Sequence, residues 1–131
     1  MPRFLNPSTL PPPASRYSHG VEHRLAMRRL LISGQVGVRL DGTVPEGLEA
    51  QAELALDNLI AVLREAGMEV ADLVRMTTYV TVPGAVATFR RVRDRRLAGH
   101  APASTYIEVA GLASPRVLVE TEGEAVKEFE P

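Results

Sequence analysis

The sequence contains no cysteine, no tryptophan and a single lysine, Lys127. The first absence removes disulfides, thiolate metal ligands and cysteine nucleophiles together. The scarcity of lysine leaves a Schiff-base mechanism with one candidate, close to the end of the sequence. Aromatic residues make up 5% of the chain and the formal net charge is −1, so the stacking surface and overall basic field of a nucleic-acid binder are both missing. No apolar run approaches the ~20 residues of a membrane span, and the opening MPRFLNPSTLPPPASRY has no apolar region for export. A soluble cytoplasmic protein with neither a membrane nor a nucleic-acid partner is expected. His19, His23 and His100 are the only histidines, and they form no HExxH or carboxylate cluster. His19 and His23 are four apart, but their segment does not read as helical. Neither a metal nor a cofactor is expected.

With 131 residues, 45% of them apolar and 24% charged, the composition suits one globular domain over 1–131. A chain of this length buries roughly 65–70% of its unfolded surface, enough for a core without staples. Residues 1–16 form a proline-rich arm whose Pro2, Pro7, Pro11, Pro12 and Pro13 exclude helix and central strand. Segments 17–24 and 27–34 read as a strand pair, and Asp41-Gly42 with Pro45 as a loop. Leu48, Ala52, Leu56, Leu59 and Leu63 recur at helical spacing, predicting a helix over 47–66 that stops at Gly67. Residues 73–82 alternate as a strand that ends at Pro83-Gly84. A second helix is expected over 84–98, with Ala85, Phe89, Val92 and Leu97 inward, followed by strands at 103–110 and 117–127. The order ββαβαββ predicts a mixed sheet with both helices on one face, an α+β sandwich. Leu30-Leu31-Ile32 and Val117-Leu118-Val119 are apolar at both parities. The second sheet face is therefore expected to be apolar too, and to be covered by another copy of the chain.

Three features could carry chemistry. Arg90, Arg91, Arg93, Arg95 and Arg96 spread around more than half of a helix, which suits a solvated or subunit-contact face better than an RNA site. Ser18-His19-Gly20 and Ser33-Gly34-Gln35 place glycines at strand ends, where backbone can approach a ligand. Glu120, Glu122 and Glu124 project to one side of a strand, roughly 6.5–7 Å apart. Crowding and burial would raise the pKa of one of them toward that of a general acid or base. The alternative is a solvated acidic edge that deters aggregation.

Taken together, these segments resemble the YjgF/RidA (Rid) family along essentially the whole chain. Tyr17-Ser18-His19-Gly20-Val21 is similar to the family's Y-S-Q/H-G-V, and Ile32-Ser33-Gly34-Gln35 to its I/T-S-G-Q. Gln51 to Asn58-Leu59 resembles the helix Q-x-x-x-x-x-x-N-L/I. Asp72 to Val80 resembles D-x-V-K-x-T-x-Y/F-V, and Pro102 to Leu112 resembles P-A-R-S-x-V-E-V-x-x-L. The resemblance implies a chorismate-mutase-like fold and a homotrimer with ligand clefts between adjacent subunits. It also implies cofactor-free hydrolysis of enamines and 2-imino acids to 2-keto acids and ammonia. Residue by residue, Tyr17 corresponds to the cleft tyrosine, Ser33 and Gly34 to the strand-end backbone site, and Glu120 to the carboxylate that orients water.

The sequence departs from the family where an arginine after Pro-Ala clamps the substrate carboxylate: here that residue is Ser104. A hydroxyl does not replace a bidentate guanidinium contact. Tyr106 also stands where the family often has a small residue or cysteine, so Ser104 and Tyr106 would line a reshaped pocket. Three activities stay open: a divergent hydrolase of a non-standard imine, enamine or carbonyl metabolite, a non-catalytic small-molecule-binding regulatory trimer, and RNA interaction or cleavage. In the first, Glu120 is catalytic and Arg16 or Arg116 could serve as a substitute clamp.

Overall fold

The computed structural model describes residues 3–14, 17–24 and 27–129, with the side chains of His23 and Arg24 outside that description. Strands β1 (Arg3–Leu5), β2 (Gly20–Arg24) and β3 (Arg28–Val36) precede helix α1 (Leu48–Glu65). A 3-10 turn at Val70–Asp72 leads into β4 (Leu73–Val80), α2 (Val86–Arg96), β5 (Ala103–Glu108) and β6 (Val119–Lys127). The sheet order is β1-β2-β3-β6-β4-β5. Only β4 and β5 run parallel, and α2 forms the crossover that a parallel pair requires. The α+β arrangement expected from the pattern is present, with one addition. The proline-rich arm contributes a three-residue strand, β1, at the sheet edge beside β2, a position where nearby prolines cost no ladder bonds.

The helices cover one face. Ala52, Leu56, Leu59 and Leu63 of α1 and Phe89 and Val92 of α2 are buried against Leu30, Ile32, Met76, Val80, Val119 and Ala125 of the sheet. Each large side chain among them contributes about 1.5–3 kcal/mol by leaving water. Two buried polar residues of α1 do a different job. Gln51 donates from Nε2 to the carbonyls of Pro45 and Arg116 and accepts the Leu118 N–H at Oε1. Asn58 Nδ2 donates to the carbonyls of Val36 and Val38. The Gln-Asn pair seven residues apart thus fixes, from one helix face, both the end of β3 and the loop entering β6.

The opposite face differs from the expectation of a second apolar surface. β6 begins at Val119, so Val117 and Leu118 belong to the loop before it, and Leu31 is the β3 residue of its triplet that points away from the helices. The centre of this face carries Glu120, Glu122 and Glu124, with Tyr79 and Arg75 alongside them. It is an amphipathic surface built around a row of carboxylates.

Candidate functional site

The pairing of β3 with β6 breaks between Ile32 and Gln35, so Ser33 and Gly34 form a bulge. Bulges re-aim side chains and leave backbone groups free of the ladder. The Ser33 N–H donates to the His19 carbonyl at 2.7 Å, and its hydroxyl donates to the Ser18 carbonyl. Gly34 leaves the space that Glu120 occupies: a Cβ at position 34 would lie 2.5 Å from Glu120 Oε2 and 2.7 Å from its carboxyl carbon.

The three carboxylates of β6 are not equivalent. Glu122 accepts the Tyr79 hydroxyl at 2.5 Å, and Glu124 is paired with Arg29 at 2.9 Å. Glu120 has no hydrogen bond or ion pair among the described residues. Burial, and secondarily the charge of Glu122, push its pKa above the ordinary carboxylate value. Tyr79 is likewise raised, chiefly because its proton is held by Glu122. The reading of this row as an acidic sheet edge is corrected by the topology. β6 lies between β3 and β4 and has no free edge to protect.

Next to the bulge is a cavity of about 320 Å³, lined among others by Tyr17, His19, Gly34 and Arg116. Its wall is mainly apolar. His19 ties the arm to the sheet: its N–H donates to Asn6 Oδ1 at 2.9 Å and its Nε2 lies 2.8 Å from the Pro11 carbonyl. A carbonyl can only accept, so Nε2 carries the proton and Nδ1 accepts from Gln35 Nε2 at 3.1 Å. Tyr17 packs edge-on to this imidazole and is 45% exposed, which leaves its ring available to a ligand. Neither His19 nor Gln35 was expected as a site residue. Their role depends on a contact between arm and sheet that no local spacing encodes.

Arg116 is placed in this cavity, whereas Arg16 lies outside the described residues. The Arg116 carbonyl is gripped by Gln51, while its guanidinium makes no hydrogen bond or ion pair among the described residues. Ser104 and Tyr106 are elsewhere. They lie on β5, two strands from β6, roughly 10 Å across the sheet. Tyr106 points toward the helices, its ring 6.0 Å from that of Phe89, and its pKa is raised first by burial and then by Glu108. Ser104 is exposed and lines a separate cavity of about 420 Å³ with Arg93, His100 and Pro102. One chain therefore brings Tyr17, Gly34 and Arg116 to one cavity, with Ser33 and Glu120 adjoining it at Gly34, and keeps Ser104 and Tyr106 apart from them.

Three of the five arginines of α2 face α1. Arg91 and Arg95 pair with Glu49, Arg95 and Arg96 with Glu53, and Arg96 with Asp57. Such exposed pairs contribute about 0–1 kcal/mol each. The charge of these three, and that of Arg93 beside Asp94, is nevertheless compensated within the molecule, which leaves Arg90 as a weak support for an RNA-binding stripe. Among the described residues no group of three or more His, Asp or Glu is placed to hold a metal, and no helix is long and apolar enough to cross a membrane.

A mixed six-stranded sheet with two helices on one face and a Ser-Gly bulge beside a strand of alternating carboxylates defines an α+β fold shared with known structures. E. coli TdcF, solved with bound serine, superposes with a TM-score of 0.87 at 28% identity, covering 96% of this chain and 99% of that one. The model of the endoribonuclease L-PSP family matches residues 8–127, and the chain belongs to that family, the YjgF/RidA group. The RutC family protein YjgH of E. coli K12 is 43% identical over 76 residues, 54% of this chain. The match spans 58% of that relative's length. The 2-iminobutanoate/2-iminopropanoate deaminase of E. coli K12 is 34% identical over 102 residues, covering 75% of this chain and 79% of that one.

Proposed function

We propose that the chain is a cofactor-free imine or enamine hydrolase whose cleft is completed by a second copy in a homotrimer. The observation that carries this reading is Glu120, the one carboxylate of its row without a partner among the described residues, half-buried against the open Cα of Gly34. A carboxylate in that setting can hold a water molecule and accept its proton. The water oxygen adds to the carbon of C=N, the nitrogen takes up a proton, and a carbinolamine forms. Collapse then expels ammonia as the hydroxyl loses its proton, so that one imine and one water become one carbonyl compound and one ammonia. The N–H and carbonyl of Gly34, which the bulge takes out of the β3–β6 ladder, orient the substrate.

Sharing of the site between copies is supported by the separation of the two residue sets. Ser104 and Tyr106 lie at the β5 edge on the helix side, whereas Glu120 projects from the other face. No side-chain rotation within one chain brings them together. The uncharged Ser104 argues that the smallest 2-imino acids are poor substrates, since a charge-assisted pair lost from a desolvated site costs about 1.5–3 kcal/mol. Ammonia and keto-acid release from imines generated in situ tests both points. The native protein is expected to be slow on 2-iminopropanoate, and Ser104→Arg to raise kcat/KM on it by about 10- to 100-fold. Release by neither protein on any imine would leave a ligand-binding trimer, a reading that the loss of the clamp also favours.

A further inference from the structure

We propose that Arg116 is the acid-recognising residue of this chain and that it selects carboxylates carrying a bulky apolar side chain. This rests on the cleft assignment made above, the cavity meeting the Glu120 site at Gly34, which lines the one and packs against the other. Among the described residues that line the 320 Å³ cavity, Arg116 is the only arginine or lysine and none is an aspartate or glutamate. Arg116 thus offers an anion the one positive charge that these residues carry. The residue is also held ready. Gln51 bonds to the Arg116 carbonyl at 2.9 Å and to the Leu118 N–H at 2.8 Å from a position that is 2% exposed, so the backbone on both sides of Val117 is anchored to α1. Among the described residues the guanidinium has no partner to surrender on binding. The arginine that lines the Ser104 cavity is in a different state. Arg93 donates two hydrogen bonds to Asp94, at 3.1 and 2.9 Å, and its charge is already answered.

The wall supplies the second half of the specificity. Val36, Val38, Val44 and Val117, with Pro11 and Pro12 of the arm, offer branched and ring carbons instead of polar groups. The volume lies at the lower end of the range for small-molecule pockets. A methyl side chain would leave most of this wall wet. Each additional buried carbon strengthens binding by about fourfold.

Calorimetric titration of the full-length protein with 4-methyl-2-oxopentanoate, pyruvate and the neutral 4-methylpentan-2-one tests the assignment without requiring turnover. The native protein is expected to bind the branched acid about 60-fold more tightly than pyruvate, because three more carbons are buried. Arg116→Met should weaken the branched acid at least tenfold and leave the neutral ketone unchanged. Arg116→Lys should recover part of the loss, since a point charge replaces only part of a fork. Equal affinity of native and Arg116→Met proteins for the branched acid would overturn the inference. So would parallel loss of the neutral ketone, a comparable loss confined to Arg16→Met, or failure of the native protein to bind either acid. Binding as expected in a protein that releases no ammonia would sink the hydrolase reading and leave this one standing; turnover with Arg116-independent binding would do the reverse.

Discussion

Glu120→Gln is expected to lower imine hydrolysis by about 10²- to 10⁴-fold while leaving the fold as stable as the native protein near neutral pH. The activity loss follows from chemistry, because a carboxamide holds a water molecule but does not take its proton. The stability expectation follows from linkage. The folded Glu120 carboxyl has a pKa above its ordinary value, first because it is buried and then because Glu122 is near. Folding therefore gains from this group only while it is protonated. That gain is full below the unfolded pKa and is lost as pH rises through the raised folded value. Near neutrality the ionised carboxylate is a net burden that glutamine lacks, so the variant should melt no lower than the native protein there. The difference should close on acidification. The same shift moves the acid limb of the kcat/KM profile upward from the ordinary carboxylate value. Melting curves across pH, together with a pH-rate profile, check both. A variant that loses stability at neutral pH in step with activity would mean that Glu120 is structural.

Gly34→Ala is expected to reduce turnover nearly as much as loss of the carboxylate, at little cost in stability. The added Cβ falls 2.5 Å from Glu120 Oε2 and 3.0 Å from its Cγ. The obstacle is thus the far end of a flexible side chain, which can swing away, but only by leaving the position from which it would hold water. Gly37 provides the contrast. A Cβ there meets the Gln51 backbone, its carbonyl oxygen at 2.5 Å and its Cα at 2.7 Å, and a packed helix cannot move aside. Gly37→Ala should cost about 1–3 kcal/mol of stability, as overpacking typically does. Thermal unfolding and steady-state rates measured on the two alanine variants separate the effects. If Gly34→Ala keeps native turnover, Glu120 is not poised where the mechanism needs it.

Much of the fold is legible in the sequence because it rests on local periodicity. The leucine spacing of α1, the inward Phe89 and Val92 of α2, and the alternation of β6 are properties of short windows, and the structure follows them. By contrast, β4 breaks its alternation at an exposed Val74, where its pairing with β6 shifts register. What depends on non-local pairing is less legible. The row Glu120, Glu122 and Glu124 is readable as an edge device until the topology places β6 between β3 and β4. The apolar triplet Leu30-Leu31-Ile32 cannot reveal that a single residue of it faces away from the helices. Gln51 and Asn58 are visible as a motif, yet their burial is explained only by the backbone groups of distant segments that they satisfy. At the site, Tyr17, Gly34 and Glu120 come from segments that keep the family pattern. Arg116 comes from a loop without a recognisable pattern, and its placement is a result of the three-dimensional structure.

The central claim is that a hydrolytic cleft is assembled from Glu120 of one copy and the Ser104 edge of another. Complementation between two inactive variants tests it most directly. Glu120→Gln removes the base, and Ser104→Trp blocks the opposite wall. Each should be inactive alone. In co-assembled trimers formed from equal amounts, about a quarter of the clefts would draw an unaltered side from each partner, so about a quarter of native ammonia release should return. A mixture no more active than its parents, when the native protein is active under the same conditions, would contradict the shared site. A native protein that releases no ammonia from any imine would contradict the hydrolase itself.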